Sequence, residues 1–333
     1  MSIFSRAKRE EIDDEEEVVE EEYSRKKKIR DLAPENRKKR KEPLKPWGRT
    51  ERIIVLVFIL LSVLIPAGLS ASTRNWKLPG LPRLSLPKLS FNRGPIIIEG
   101  DDTDKKKTEA ALDYFQSSVK DLSGVYGLYI IRLDDGSSYG FNQSEIMQAA
   151  SLIKLPIMAA TYRQAESGEI DLDLKPEGSN STYRQLLGAM GQRSENAAQI
   201  TIITSLGAPR IQETIEELGM KNTFLEENLT TPKDIGMFFQ KLWKGLIVSE
   251  EHRDEMLEFL TDTSFEDWIA AGIADVRVAH KYGREMHVVN DAGIVFSEPP
   301  MVLVLMGDGI VESEADKFIP EAAAKIYQIE AKD

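Results

Sequence analysis

The rhythm of apolar and polar positions divides the 333-residue chain into unequal parts. Residues 1–52 show no periodicity: 10–22 is almost wholly acidic, and 25–52 is dominated by Lys and Arg. Blocks of like charge with few apolar side chains bury too little surface to offset the entropy of ordering, which predicts a disordered charged arm. Residues 53–69 are an uncharged apolar run of 17 positions, extended to about 20 by Ser70, Ala71 and Ser72, the length that crosses a hydrocarbon core. We read 53–71 as a transmembrane signal anchor. Prolines at 79, 82, 87 and 95 then make 72–102 an extended spacer, because each fixes φ and removes a donor.

From 103 to 333 the pattern is that of one domain. Ala111, Leu112, Phe115 and Val119 have helical spacing over 108–120. The β-rich run 125–133, the turn Asp134-Asp135-Gly136 and a second run at 138–142 predict a hairpin. An apolar stretch with helical spacing begins at Ser151 and stops at Ser167-Gly168. Further helices are expected near 183–190, 196–206, 209–218, 232–242 and 249–260. Strands return at 276–280, 288–296 and 301–306, and a helix closes the chain over 313–329. Strands at both ends with helices between them, and no regular βαβ alternation, predict an α+β fold: an antiparallel β-sheet packed against a mostly helical region.

Charge orients and restricts this scheme. Eight Lys or Arg stand in 33–52 and four in 72–91, so the positive-inside rule leaves the arm in the cytoplasm and sends the domain across the membrane. The small residues Gly68, Ser70, Ala71 and Ser72 also suit a cleavable signal peptide, but the long charged region before the run and the run's own length favour an uncleaved anchor. Residues 103–333 carry 22 basic and 38 acidic side chains, a net charge of −16, which excludes nucleic acid as the domain's ligand. The chain has no cysteine, and His252, His280 and His287 show no metal-ligand spacing; no metal or other cofactor is implied.

The candidate chemistry begins at Ser151. Lys154 lies three residues on, so on a helix the hydroxyl and the amine share a face within hydrogen-bond reach. Ala149 and Ala150 precede the serine, and Pro156 stands in the first turn, where its missing N–H costs nothing. Two more stretches follow: Ser194-Glu195-Asn196 in a helix–helix loop, and Lys281-Tyr282-Gly283 at the end of a strand.

Ser-x-x-Lys, then Ser-x-Asn about forty residues on, then Lys-x-Gly near the last strands, resembles the active-site set of class A β-lactamases and penicillin-binding proteins. The resemblance extends over GLYIIRLDDGSSYGFN, QAASLIKLPIMAA, MGQRSENAAQ, SLGAPRIQETIEELGM, LTTPKDIG, HKYG and VNDAGIVF, nearly the whole domain. It implies that Ser151 is a nucleophile, that Lys154 takes its proton, and that Lys281 and Ser194 shape the lysine's environment, with Ser194 a shuttle to the leaving nitrogen. It further implies that Asn196 holds a substrate amide and that the backbone N–H groups of Ser151 and Arg284, past Gly283, form an oxyanion hole. The implied ligand is a small-molecule β-lactam or a cell-wall peptide.

Three departures qualify the resemblance. Glu195 stands where the family usually has Asp. Tyr282 replaces a small hydroxyl residue that meets the substrate carboxylate, a task Arg284 is placed to take over. The segment between Leu218-Gly219 and Thr230-Thr231-Pro232 is about a dozen residues too short for the loop that carries the deacylating glutamate. Glu226 and Glu227 fall within it and read as exposed turn carboxylates. Three functions follow: a membrane-tethered hydrolase of β-lactams, a D,D-peptidase-like cell-wall enzyme with slow deacylation, and a binding module that has lost turnover.

Overall fold

A computed structural model describes residues 55, 56, 60, 62, 102–273 and 275–331. The charged arm, the spacer up to 101 and most of the apolar run 53–71 lie outside the described residues. Among the described residues, no helix is long and apolar enough to cross a membrane.

The domain opens with helix α1 (Asp102–Val119) and the hairpin β1 (Val125–Arg132) and β2 (Ser138–Phe141). A two-residue strand β3 (Met147–Gln148) leads into a 3₁₀ turn (Ala150–Ile153) and helix α2 (Lys154–Glu166). Four helices follow, interrupted by the short strand β4 (Leu229–Thr230): α3 (Tyr183–Gln192), α4 (Asn196–Leu206), α5 (Ala208–Glu217) and α6 (Pro232–Trp243). Then come α7 (Glu250–Phe259), the single turn α8 (Ile269–Gly272), strands β5 (Val278–Glu285), β6 (Val288–Val295) and β7 (Met301–Asp308), and α9 (Glu312–Glu330). The main sheet has the order β2-β1-β7-β6-β5 and is antiparallel throughout. The α+β arrangement expected from the pattern is therefore present.

Two hydrophobic clusters lie on the two faces of this sheet. Ala279, Ala292, Ile294, Val302 and Val304 pack with α2, α3, α6 and α7 on one face. Leu128, Ile130, Val289, Leu303 and Leu305 pack with α1 and α9 on the other. With both faces covered, β6 and β7 are buried almost end to end and show no alternation of apolar and polar positions; only Asn290 and Asp291 break the apolar run of β6. α2 is buried from Lys154 through Tyr162, so it forms the middle of the helical layer and not its surface.

Local signals set most boundaries. Thr182 caps α3 through a reciprocal capping box with Gln185, and Thr231 caps α6 ahead of Pro232. Two elements depart from expectation. β5 runs on to Glu285, which puts Lys281 inside the strand and not at its end. The short β3–β4 ribbon has no counterpart in the sequence reading, because two-residue strands carry no periodicity.

Candidate active site

The chain enters the 3₁₀ turn through Ala150, whose φ of 47° lies in the left-handed region that L residues avoid. Several contacts hold it there. Ala149 N–H donates to the Asn228 carbonyl at 2.7 Å, and Asn290 Nδ2 donates to the carbonyls of Gln148 (2.9 Å) and Ala149 (3.1 Å). Asn290 Oδ1 accepts from Gly307 N–H at 3.2 Å, so this buried amide ties the approach to Ser151 to β6 and β7. Strain of this kind persists only where the surroundings over-determine it.

Lys154 begins α2 with its amine at the centre of a four-way junction. Nζ lies 2.8 Å from Ser151 Oγ, 2.8 Å from the Ser194 carbonyl, 3.3 Å from Ser194 Oγ and 2.7 Å from Asn196 Oδ1. The lysine is wholly buried. Burial lowers its pKa to about 8, and the charge of Glu285 pulls weakly the other way. Ser194 sits in the loop between α3 and α4 with a φ of 55°, another strained residue at the same junction. Asn196 starts α4 and is exposed; with Oδ1 taken by Lys154, its Nδ2 is left for another acceptor. Glu195 turns outward to Arg193 at 2.6 Å and does not join the cluster.

β5 forms the sheet edge beside this junction. Gly283 is required there: a Cβ on it would lie 2.8 Å from Ser151 N and 3.1 Å from Ala150 Cβ. His280 N–H donates to the Leu260 carbonyl at 2.7 Å, and Thr261 bridges to Ala279, so the chain at 260–261 covers the start of the open edge. Strand alternation then points the N–H groups of Tyr282 and Arg284 to the same open edge, alongside Ser151 N–H. Lys281 is also fully buried, and its pKa is lowered to about 7 by burial and by the Lys154 charge, against the pull of Asp291. Its Nζ donates to the Tyr282 carbonyl at 3.0 Å and lies 4.1 Å from the centre of that ring.

Ser151, Lys154, Ser194, Asn196 and Gly283 thus come from three separate stretches to one place, and Lys281, two residues before Gly283, lies near enough to feel the Lys154 charge while its amine rests on Tyr282. The side chains of Tyr282 and Arg284 do not join them. Both belong to the opposite face of β5, where the Tyr282 ring packs on Phe265 with centroids 5.0 Å apart. The Arg284 guanidinium pairs with Asp316 and lies 5.1 Å over the Trp268 ring. Arg284 therefore offers the site its backbone N–H, and its charge is already engaged elsewhere. Glu226 and Glu227 are exposed in the turn between Phe224 and Leu229.

The sequence reading missed two supporting groups. Asn290 lies in the stretch VNDAGIVF and carries no functional role in the sequence reading, yet it orients the nucleophile's approach. His280 is fully buried between Asp291 (2.7 Å) and Glu266 (3.2 Å). Burial pushes its pKa down, but the two carboxylates more than offset that and raise it to about 10. The signal was available: Asn290-Asp291 interrupts an otherwise apolar strand, and polar pairs are kept in such places only when they have partners.

Comparison with known proteins follows the same lines. Residues 110–329 match the model of the beta-lactamase enzyme family. Among solved structures, PBP-A shares 25% identity at a TM-score of 0.61, covering 66% of this chain and 95% of that one. A leucine-to-glutamate variant of PBP-A, determined as its acyl-enzyme complex with penicillin G, matches at 25% identity and a TM-score of 0.59, covering 66% and 96%. A β-lactamase from Sphaerobacter thermophilus shares the fold at 22% identity and a TM-score of 0.61, covering 68% and 98%. A search of curated proteins finds no match. With a family match spanning most of the described domain, and with the serine–lysine junction in place, the chain belongs to the beta-lactamase enzyme family.

Proposed function

We infer that the domain is a serine hydrolase that is acylated on Ser151 by β-lactams. The observation that carries this reading is the buried Lys154 amine 2.8 Å from Ser151 Oγ. A neutral amine has two N–H groups and one lone pair. The Ser194 carbonyl and Asn196 Oδ1 can only accept, so they take the two N–H groups and leave the lone pair for the Ser151 proton. As that proton passes to Nζ, Oγ bonds to the substrate carbonyl carbon, and the oxyanion faces the N–H groups of Ser151 and Arg284. The C–N bond then breaks, and the leaving nitrogen takes a proton returned from Lys154 through Ser194 Oγ. Asn196 Nδ2 holds the substrate amide and Gly283 keeps the approach open, while Lys281, its own pKa lowered to about 7 by burial and by the Lys154 charge, lines the same end of the site. Tyr282 and Arg284 shape the edge through their backbone.

A second reading is favoured by one feature, the short hairpin that stands where a carboxylate loop would be expected. With Glu226 and Glu227 exposed in its turn, release of the acyl group is the slow step, as suits a D,D-peptidase-like enzyme acting on cell-wall peptides. A binding module that has lost turnover is the weaker alternative, since the bulky Tyr282 ring packs on Phe265 at the other face and leaves the Ser151–Lys154 pair unobstructed by it. We place the domain outside the cytoplasm on the anchor 53–71, with residues 1–52 inside; protease added to intact cells should then cleave the domain and spare the arm.

Intact-mass analysis of the protein with a penicillin tests the chemistry. The expected result is an adduct that Ser151→Ala abolishes. Rapid nitrocefin turnover would favour the first reading and a long-lived adduct the second, while no adduct and no Ser151-dependent peptidase activity would overturn both.

A further inference from the structure

Two charged side chains on the nucleophile face of β5 flank Gly283 at equal spacing, Lys281 two residues before it and Glu285 two after. At about 3.3 Å per residue the two positions lie roughly 13 Å apart along the strand. Ser151 N lies against Gly283 between them. An acyl-transfer site needs two such ends. The leaving nitrogen must take up a proton, and the groups able to supply it, Ser194 and Lys154, lie together within reach of the Lys281 charge at the lysine end. With the substrate carbonyl between Ser151 N–H and Arg284 N–H, the part retained on Ser151 therefore runs the other way, towards Glu285.

Glu285 is exposed, and its carboxylate accepts from a neutral group, Asn228 Nδ2, at 3.3 Å. Asn228 is itself fixed by a left-handed backbone with φ 55° and by the hydrogen bond its carbonyl accepts from Ala149. Its Oδ1 is buried without a hydrogen-bond partner. The amide thus holds the carboxylate in place without neutralising it, and the Glu285 charge is felt as far as Lys154. We propose that Glu285, oriented by Asn228, recognises a positively charged amino group on the acyl part of the substrate, so that the site favours cationic acyl donors over anionic ones. The inference rests on the acyl-serine reading above. In a peptide substrate the amino group belongs to a diamino-acid side chain or a free N-terminus on the retained part.

The test is acylation of the full-length protein in detergent by three penicillins differing in side-chain charge, followed by intact mass: ampicillin (ammonium), penicillin G (uncharged) and carbenicillin (carboxylate). The ratio of ampicillin to carbenicillin acylation rates is expected to exceed one. It should fall about two- to five-fold in Glu285→Gln, as for the loss of one solvent-exposed ion pair, and further in Glu285→Lys. Taking the ratio within one preparation cancels any difference in the folded fraction. The same ratio in the unaltered protein should fall as salt is raised, a measurement that needs no variant. A ratio indifferent to both substitutions and to salt would overturn the proposal while leaving acylation intact. Absence of any Ser151 adduct with all three penicillins would remove the acyl-serine reading and this inference with it.

Discussion

At the scale of single residues, the site turns on whether one buried amine is neutral. Lys154 can accept the Ser151 proton only when unprotonated, and its pKa of about 8 sets where that occurs. The second-order rate of acylation should therefore rise about tenfold per pH unit below 8 and level off above it. Lys154→Met should lower the plateau by about 10²–10⁴-fold and flatten the profile; stopped-flow acylation across pH measures both. Gly283 makes a steric prediction. Its missing Cβ would sit 2.8 Å from Ser151 N, where the oxyanion must bind. Gly283→Ala should slow acylation by about 10²–10³-fold, the effect of losing one oxyanion donor, and also lower the melting temperature, because the new Cβ meets backbone and not a movable side chain. These residue types were legible in the sequence as ordered motifs. The roles of the side chains beside them were less so, because Tyr282 and Arg284 are sorted by the pleat, and which face of an edge strand meets the nucleophile is set by register.

At the scale of elements, the nucleophile turn is held by strands distant in sequence. Asn290 on β6 bonds three backbone groups around it, two of them in the segment leading to Ser151. Asn290→Ala would leave buried groups without partners and should destabilise the domain by about 1–3 kcal/mol, with a further loss of acylation in the fraction that remains folded. Urea denaturation and adduct formation separate the two effects. His280 binds β5 to the stretch carrying Glu266. Its folded pKa of about 10 lies above the ordinary value of 6.5, so its contribution to stability is complete below about pH 6.5 and fades as pH rises towards 10. The difference in denaturation midpoint between the unaltered protein and His280→Gln should be largest near pH 6 and shrink as pH rises. Helices with strong caps and strands with turn signals were readable from the sequence. The β3–β4 ribbon was not, since each strand is two residues long and exists only through its partner.

At the scale of the whole domain, its first and last helices are clamped to the β1–β2 hairpin. Arg132 on β1 bonds Glu330 on α9 at 2.7 and 3.0 Å, Tyr139 on β2 donates to the same carboxylate at 2.7 Å, and Arg132 Nη2 reaches Thr108 on α1 at 3.3 Å. Removing one partner of a buried ion pair strands the other, so Glu330→Ala should cost about 3–5 kcal/mol of stability. Thermal unfolding should show the loss, while the folded fraction keeps its acylation rate, because the clamp lies on the sheet face away from Ser151. The sequence by itself determined the α+β class, the order of the helices and strands, and the three motifs in family sequence, because these depend on periodicity, caps and local spacing. Only the tertiary structure decided that Lys154 is buried and its amine shared among Ser151, Ser194 and Asn196, that Arg284 brings a backbone N–H while its guanidinium is held by Asp316, and that Asn290 steers the nucleophile. Those outcomes rest on burial and on contacts between segments 32 to 142 residues apart, which no local pattern encodes.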